Sequence, residues 1–202
     1  MDKDWTGNHK STYTTIGSSS HALTDRETND YYATEPRCIQ ELYEVMGYQF
    51  SNNIWEPACG QLHLSNKLRE IRPNINIRNS DIIDRGVGCE IIDFLQYNNP
   101  DSFDGDIITN PPYKYALEFV QKSLETVTFP RFVCMFLKIT FLEGQKRRKF
   151  FDKNPPKIVY VYSSRRICAF NGDFNKVDSS ACCYAWFVWQ KGVHSDTILK
   201  WI

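Results

Sequence analysis

No apolar run in this 202-residue chain approaches the length of a membrane span, and its polar amino-terminal stretch does not read as a signal peptide. Cysteine occurs seven times, at 38, 59, 89, 134, 168, 182 and 183, but never as a Cys-x-x-Cys pair. An odd number in mostly apolar contexts argues for reduced core thiols of a cytosolic protein, against both zinc and a disulfide framework. Histidine is scarce. His9, His21, His63 and His194 share no spacing, so neither metal ligation nor a Ser-His-Asp constellation is expected. No internal repeat and no linker of domain-separating length interrupts the chain. What is present, 42% hydrophobic and 14% aromatic residues, suits one domain with a substantial core.

Net charge is also missing, but its absence hides an asymmetry. Residues 1–110 hold 9 basic and 17 acidic side chains, a balance of −8. Residues 111–202 hold 15 and 7, a balance of +8, so a polyanion would be met by the carboxy-terminal half.

In chain order, residues 1–27 are polar, Ser/Thr-rich and without periodicity, and are expected to form a mobile arm. Thr34 as cap and Pro36 in the first turn would open a helix bearing Ile39, Leu42, Tyr43 and Met46 and ending at Gly47. Asn53 to Gly60 reads as a strand and a turn, and Leu62, Leu64, Leu68 and Ile71 space out a helix before Pro73. This is the first βα unit of a doubly wound sheet, whose ligands bind at the carboxyl ends of the strands. A second strand then ends in Asp81, placed to accept hydrogen bonds from ribose hydroxyls, with Asp84 further along as a capping group. Residues 90–95 read as a third strand with Asp93 and Phe94 at its end. Asp106 to Thr109 gives the fourth, a helix follows over 115–124, and residues 132–137 form a continuous apolar run fit for a central strand. Residues 157–162 give another.

The fourth strand ends in Asn110-Pro111-Pro112-Tyr113. Two prolines remove two backbone donors and fix two φ angles, which stops the ladder at Asn110. The product is a stiff platform carrying a carboxamide, backbone carbonyls and an aromatic ring, suited to gripping a flat ligand with an amino group. Lys146, Arg147, Arg148 and Lys149 form a basic patch after the central strand, and Arg165 and Arg166 open a polar loop; phosphate contact is one reading and a solvated helix face the other.

In this order these segments resemble S-adenosylmethionine-dependent amino methyltransferases, above all DNA adenine-N6 enzymes. Residues 28–202 are similar to compact phage and prophage members. The resemblance implies an α/β, Rossmann-like methyltransferase fold. Its sheet would be mostly parallel and seven-stranded, with a late antiparallel strand at residues 181–189 and helices on both faces. Residues 28–202 would be a single methyltransferase domain with no separate target-recognition domain. It further implies S-adenosylmethionine as cofactor and DNA as partner, no metal and no membrane, and the cytoplasm of a bacterial host cell; the oligomeric state stays open, with a monomer favoured. Asn110, Pro111, Pro112 and Tyr113 would be catalytic. Tyr32, Thr34, Pro36, Glu56, Pro57, Ala58, Gly60, Asp81, Ile82, Asp93, Phe94 and Asn110 would hold the cofactor, with Asp93 accepting from its adenine and Phe94 packing on the ring. Leu62 departs from the pattern, since the family places a second glycine there; its side chain is expected to point into the helix–sheet interface. Loops at 139–153 and 163–180 would read a short or relaxed target sequence. Two alternatives stay open: methylation of a glutamine side chain or an RNA base, and a catalytically silent cofactor- and DNA-binding module.

Overall fold

The computed structural model describes residues 31–170, 172, 174 and 182–202; the arm at 1–27 and most of the loop at 171–181 lie outside the described residues. The described chain runs β1 (Tyr32–Thr34), α1 (Arg37–Met46), β2 (Asn53–Glu56), α2 (His63–Ile71), β3 (Asn76–Asp81), β4 (Glu90–Ile91) and β5 (Asp106–Thr109). Then follow α3 (Ala116–Thr126), β6 (Phe132–Lys138), α4 (Gln145–Phe151), β7 (Ile158–Val161), β8 (Cys168–Phe170), β9 (Tyr184–Gln190) and β10 (Ile198–Trp201). No helix among the described residues is long and apolar enough to cross a membrane.

The main sheet has the order β10-β7-β9-β6-β5-β2-β3-β4, and β9 alone runs antiparallel to its neighbours. Its central strands β5, β6 and β9 are buried almost throughout, and β6 and β9 read as near-continuous apolar runs, because both faces are covered. Along β6, Phe132, Cys134 and Phe136 face one core layer with Ile39 and Leu42 of α1 and Leu64 and Leu68 of α2. Val133, Met135 and Leu137 face the other, with Phe119 and Val120 of α3 and Phe150 of α4. The period-two alternation of a strand thus fills two layers from one hydrophobic run. Each fully buried Phe, Leu or Met contributes roughly 1.5–3 kcal/mol. Asp106 pins the start of β5 by accepting from the Ser51 and Phe132 amides at 2.6 and 2.7 Å.

The structure departs from the sequence expectations at several places. The sheet has eight strands rather than seven: β10 pairs in parallel with β7 and satisfies the ladder groups that β7 would otherwise present at an edge. The third strand shrinks to Glu90–Ile91, because Asp93 turns the chain into a 3₁₀ segment by accepting from the Leu95 amide at 3.1 Å. Thr34 caps no helix. It lies in β1, which pairs antiparallel with β8 as a separate two-stranded ribbon (Tyr32↔Phe170, Ala33↔Ala169, Thr34↔Cys168). Such a ribbon is marginal by itself and needs packing from below. It finds that support at the carboxyl ends of the parallel strands.

Candidate active site

The loops after β2, β3, β4 and β5 meet at one end of the sheet, since parallel strands place their carboxyl ends together. Glu56 closes β2 and is buried. Ser65 Oγ donates a short hydrogen bond to its Oε2, and Asn79 Nδ2 donates to the same oxygen at 3.4 Å. Burial pushes its carboxyl up to about 8, with the Ser65 hydrogen bond only partly opposing the loss of water. Its bound oxygen thus faces α2 and β3.

Beyond Glu56 the chain turns sharply. Gly60 has φ +51° and Leu62 φ +66°, both left-handed. Leu62 precedes α2 as its cap residue, half-buried and in neither core layer, because Leu64 and Leu68 take the inward positions. The expected placement of Leu62 in the helix–sheet interface is therefore corrected. A glycine would adopt that backbone without the β-carbon clash leucine carries. The amides of residues 59–62 are all engaged inside the protein. Cys59 N–H donates to the Ser80 carbonyl at 3.0 Å and Leu62 N–H to the Cys59 carbonyl at 2.8 Å. Gly60 N–H donates to Asp81 Oδ2 at 2.9 Å and Gln61 N–H to the Tyr31 hydroxyl at 3.1 Å.

Asp81 stands at the end of β3, nearly buried. Its second oxygen accepts from the Ile83 amide and from Arg85 Nη1, each at 3.2 Å. Ile82 beside it is 53% exposed and Ile91 72%, an uncovered apolar strip next to the exposed Asp93. Phe94 is 2% exposed, packed on Trp55 and Phe119 with centroids 5.2 and 5.3 Å away. The expected packing of Phe94 on a ligand ring is corrected accordingly: the ring gains more from the core than a ligand face would offer. Asp84 accepts from the Val87 and Gly88 amides, the capping role expected of it.

At the end of β5, Asn110 donates from Nδ2 to the Tyr32 carbonyl at 3.0 Å. A carbonyl can only accept, so this bond fixes which end of the carboxamide is oxygen. That oxygen, Oδ1, is shielded from solvent and accepts no hydrogen bond from the described residues. The Thr34 and Thr109 hydroxyls share this condition. An unmatched buried acceptor costs about 1–3 kcal/mol, so the site holds capacity that the chain itself does not use. The Pro112 carbonyl is taken by the Tyr115 amide at 2.9 Å, whereas no backbone amide of the described loops donates to that of Pro111. Tyr113 is held between Tyr32 (centroids 6.3 Å, 29°) and Tyr184 (5.9 Å, 32°), with its hydroxyl 3.3 Å from Cys168 Sγ. Loss of water raises its phenol well above the ordinary value.

Sequence reasoning assigned no role to three residues here, although Tyr31 lies in the segment 31–36, whose resemblance implies that it folds over the cofactor. Lys138 Nζ stands 5.1 Å from the Tyr113 ring centre; the signal was a lone cation ending an apolar strand. Tyr31 and Arg85 meet over the Gly60 turn, Arg85 Cζ lying 4.5 Å from the Tyr31 ring. Neither spacing nor composition marks that pair.

The expected nucleic-acid residues divide. Arg166 is buried, gripping Glu41 through Nε and Nη2 at 2.9 and 2.6 Å, and it stacks on Tyr162; it holds α1 to the β7–β8 connection, and its phosphate-contact reading is corrected. Arg165 is exposed and donates to Cys183 Sγ. Arg148 pairs with Asp152, and Arg147 folds back on Phe141 and the Thr140 carbonyl. Lys146 and Lys149 make no ion pair among the described residues and line a groove of about 640 Å³ between α3 and α4. Pro36 stands at the start of α1, and Pro57 and Ala58 lie in the Gly60 turn.

No family model and no curated protein matches the sequence. Solved structures do. The methyltransferase subunit of a type I restriction–modification system from Streptococcus thermophilus superposes with a TM-score of 0.60 at 12% identity, over 87% of this chain and 48% of that one. A modification subunit ascribed to a type I restriction enzyme of Vibrio vulnificus gives 0.58 at 14%, over 88% and 48%. An S-adenosylmethionine-dependent O-methyltransferase from Thermotoga maritima gives 0.53 at 11%, over 81% and 69%. The chain spans about half the length of the two restriction–modification subunits. The fold of this protein is the Rossmann-like fold of S-adenosylmethionine-dependent methyltransferases.

Proposed function

We propose that this protein transfers a methyl group from S-adenosylmethionine to the N6 amino group of adenine in DNA. The observation that carries the reading is Asn110 Oδ1, a desolvated acceptor held by the Tyr32 carbonyl and lacking a donor. The turn at Gly60, the acid ending β3 and the exposed Ile82 beside Asp93 fit a nucleoside-bearing cofactor. In that fit Asp81 would take the ribose hydroxyls and Asp93 the adenine amino group, with Thr34 and the Glu56–Gly60 turn on the methionine side. When bound, the cofactor supplies a sulfonium methyl group that an amine lone pair takes up while sulfur keeps the electrons of the broken C–S bond.

An exocyclic adenine nitrogen is a weak nucleophile because its lone pair is delocalised into the ring. Asn110 Oδ1 and the Pro111 carbonyl, each accepting one N–H, would draw that nitrogen toward tetrahedral geometry and stabilise the positive charge that develops on it, the surplus proton then passing to water. Holding the amine in one orientation lowers the barrier further, since no acceptor has to be found during the reaction. Tyr113 would stack on the base once Tyr32 has moved aside, Tyr184 supporting its other face. A base inside a duplex cannot reach such a pocket, so the nucleotide must be flipped out. Lys138, Lys146 and Lys149 would meet its phosphates, and Arg165 would do so by giving up its contact with Cys183. The two restriction–modification neighbours support DNA as the substrate class.

Incubating DNA with methyl-labelled S-adenosylmethionine and analysing nucleosides by mass spectrometry tests this. Label is expected in N6-methyladenine with the native protein and not with Asn110→Ala. Label in RNA or on glutamine would move the substrate class. Binding of cofactor and DNA without any transfer would make the protein a silent module.

A further inference from the structure

A glycine at the end of the first strand of a doubly wound sheet leaves its backbone bare so that a ligand can approach. Here something of the protein's own approaches instead. A β-carbon built on Gly60 would overlap the Tyr31 ring. The Tyr31 hydroxyl takes the Gln61 amide at 3.1 Å and lies 3.4 Å from the Gln61 side-chain oxygen. Arg85 lies over the ring, Cζ 4.5 Å from its centre, and at the same time pairs with Asp81, the acid at the end of β3. Tyr31, Arg85 and Asp81 therefore close over the turn as one unit. Tyr31 also immediately precedes Tyr32, whose carbonyl is bound to Asn110 and whose ring covers Tyr113. One two-residue segment lies over both halves of the site.

We propose that Tyr31 and Arg85 set cofactor affinity by standing in the cofactor's place, so that binding requires Tyr31 to leave Gly60 and Arg85 to release Asp81. The inference rests on the cofactor reading given above. Asp81 then exchanges a guanidinium for ribose hydroxyls, and the Gln61 amide exchanges a phenol for a ligand oxygen. Because Tyr31 and Tyr32 are adjacent, the same movement uncovers Tyr113 and loosens the Tyr32 carbonyl from Asn110. Occupancy of the cofactor site would thereby open the base site, which orders the two binding events.

Calorimetric titration with S-adenosylhomocysteine, the unreactive demethylated form, tests this on the full chain and on Tyr31→Ala, Tyr31→Phe and Arg85→Ala. If the closed form dominates about ten to one, removing the ring should tighten binding about tenfold. Tyr31→Phe keeps the ring but loses the phenol, and should fall between. Its Gln61 amide should also exchange hydrogen faster than in the native protein, a readout that needs no ligand. Unchanged or weaker binding in both alanine variants would overturn the proposal and make Tyr31 a clamp over bound cofactor. If neither the native protein nor any variant bound, the cofactor reading itself would fall, and this inference with it.

Discussion

Two loops end neighbouring strands and have opposite hydrogen-bond inventories. After β2, the amides of Cys59, Gly60, Gln61 and Leu62 all find partners within the chain. After β5, Asn110 keeps a buried oxygen without a donor and the following prolines have no amide to offer. Over residues 59–62 the first loop is complete without a ligand, and at Asn110 the second is not. A ligand therefore has to compete at Gly60, while at Asn110 it relieves a cost that already exists. Binding strength should be governed by the first loop and chemistry by the second.

The widest gap should open at Asn110. Asn110→Ala removes an unmatched buried acceptor together with the Nδ2 bond to the Tyr32 carbonyl, effects of opposite sign, so stability should change by no more than about 1 kcal/mol while transfer falls about 10²- to 10³-fold. Single-turnover kinetics and urea unfolding, measured together, check both halves. A large loss of stability would make Asn110 an ordinary structural residue and erase the contrast.

Glu56 tests the first loop through pH. Its folded value, about 8, is raised above that of an unfolded carboxyl by burial. The stability linked to it is fully present below about pH 4.5 and is lost as pH rises toward 8. Glu56→Gln keeps the shape without the charge, so it should unfold at a higher temperature than the native protein, by an amount equivalent to a few kcal/mol at pH 8 and little at pH 5. Parallel melting profiles across that range would show that the carboxyl is not desolvated.

Arg166 and Lys149 extend the comparison to charge. Arg166→Ala leaves Glu41 with only the exposed Arg37 as partner and should cost about 2 kcal/mol of stability, below the cost of a fully uncompensated buried charge. Lys149→Ala should cost within about 0.5 kcal/mol, yet reduce the slope of log affinity for DNA against log salt by about one. Equal salt slopes for native protein and Lys149→Ala would remove that lysine from the DNA surface. The smallest effect belongs to Leu62→Gly. Relief of the left-handed backbone, offset by the entropy of glycine, should leave a gain below about 1 kcal/mol by urea unfolding.

The βα order and the buried central strand were legible because apolar runs and punctuating Pro, Gly and acids act within a few residues. Tyr31 on Gly60 and Arg85 on Asp81 were not, since neither contact leaves a periodicity or spacing to read. Phe94 and Arg166 were misread for a related reason. An aromatic after an acid, or a pair of arginines opening a loop, looks the same whether it faces a ligand or the core. Their burial is decided by Trp55, Phe119 and Glu41, which lie 39, 25 and 125 residues away.

By itself the sequence determined an α/β sheet with acids and an Asn-Pro-Pro-Tyr platform at its strand ends, because strand termination, proline stiffness and two-sided hydrophobic runs are local effects. Only the tertiary structure decided that β1 and β8 pair above that end, that Tyr31 fills the space over Gly60, and that the Asn110 oxygen is buried without a donor. Those facts depend on which distant groups exclude water from one another, and that is a property of packing in three dimensions.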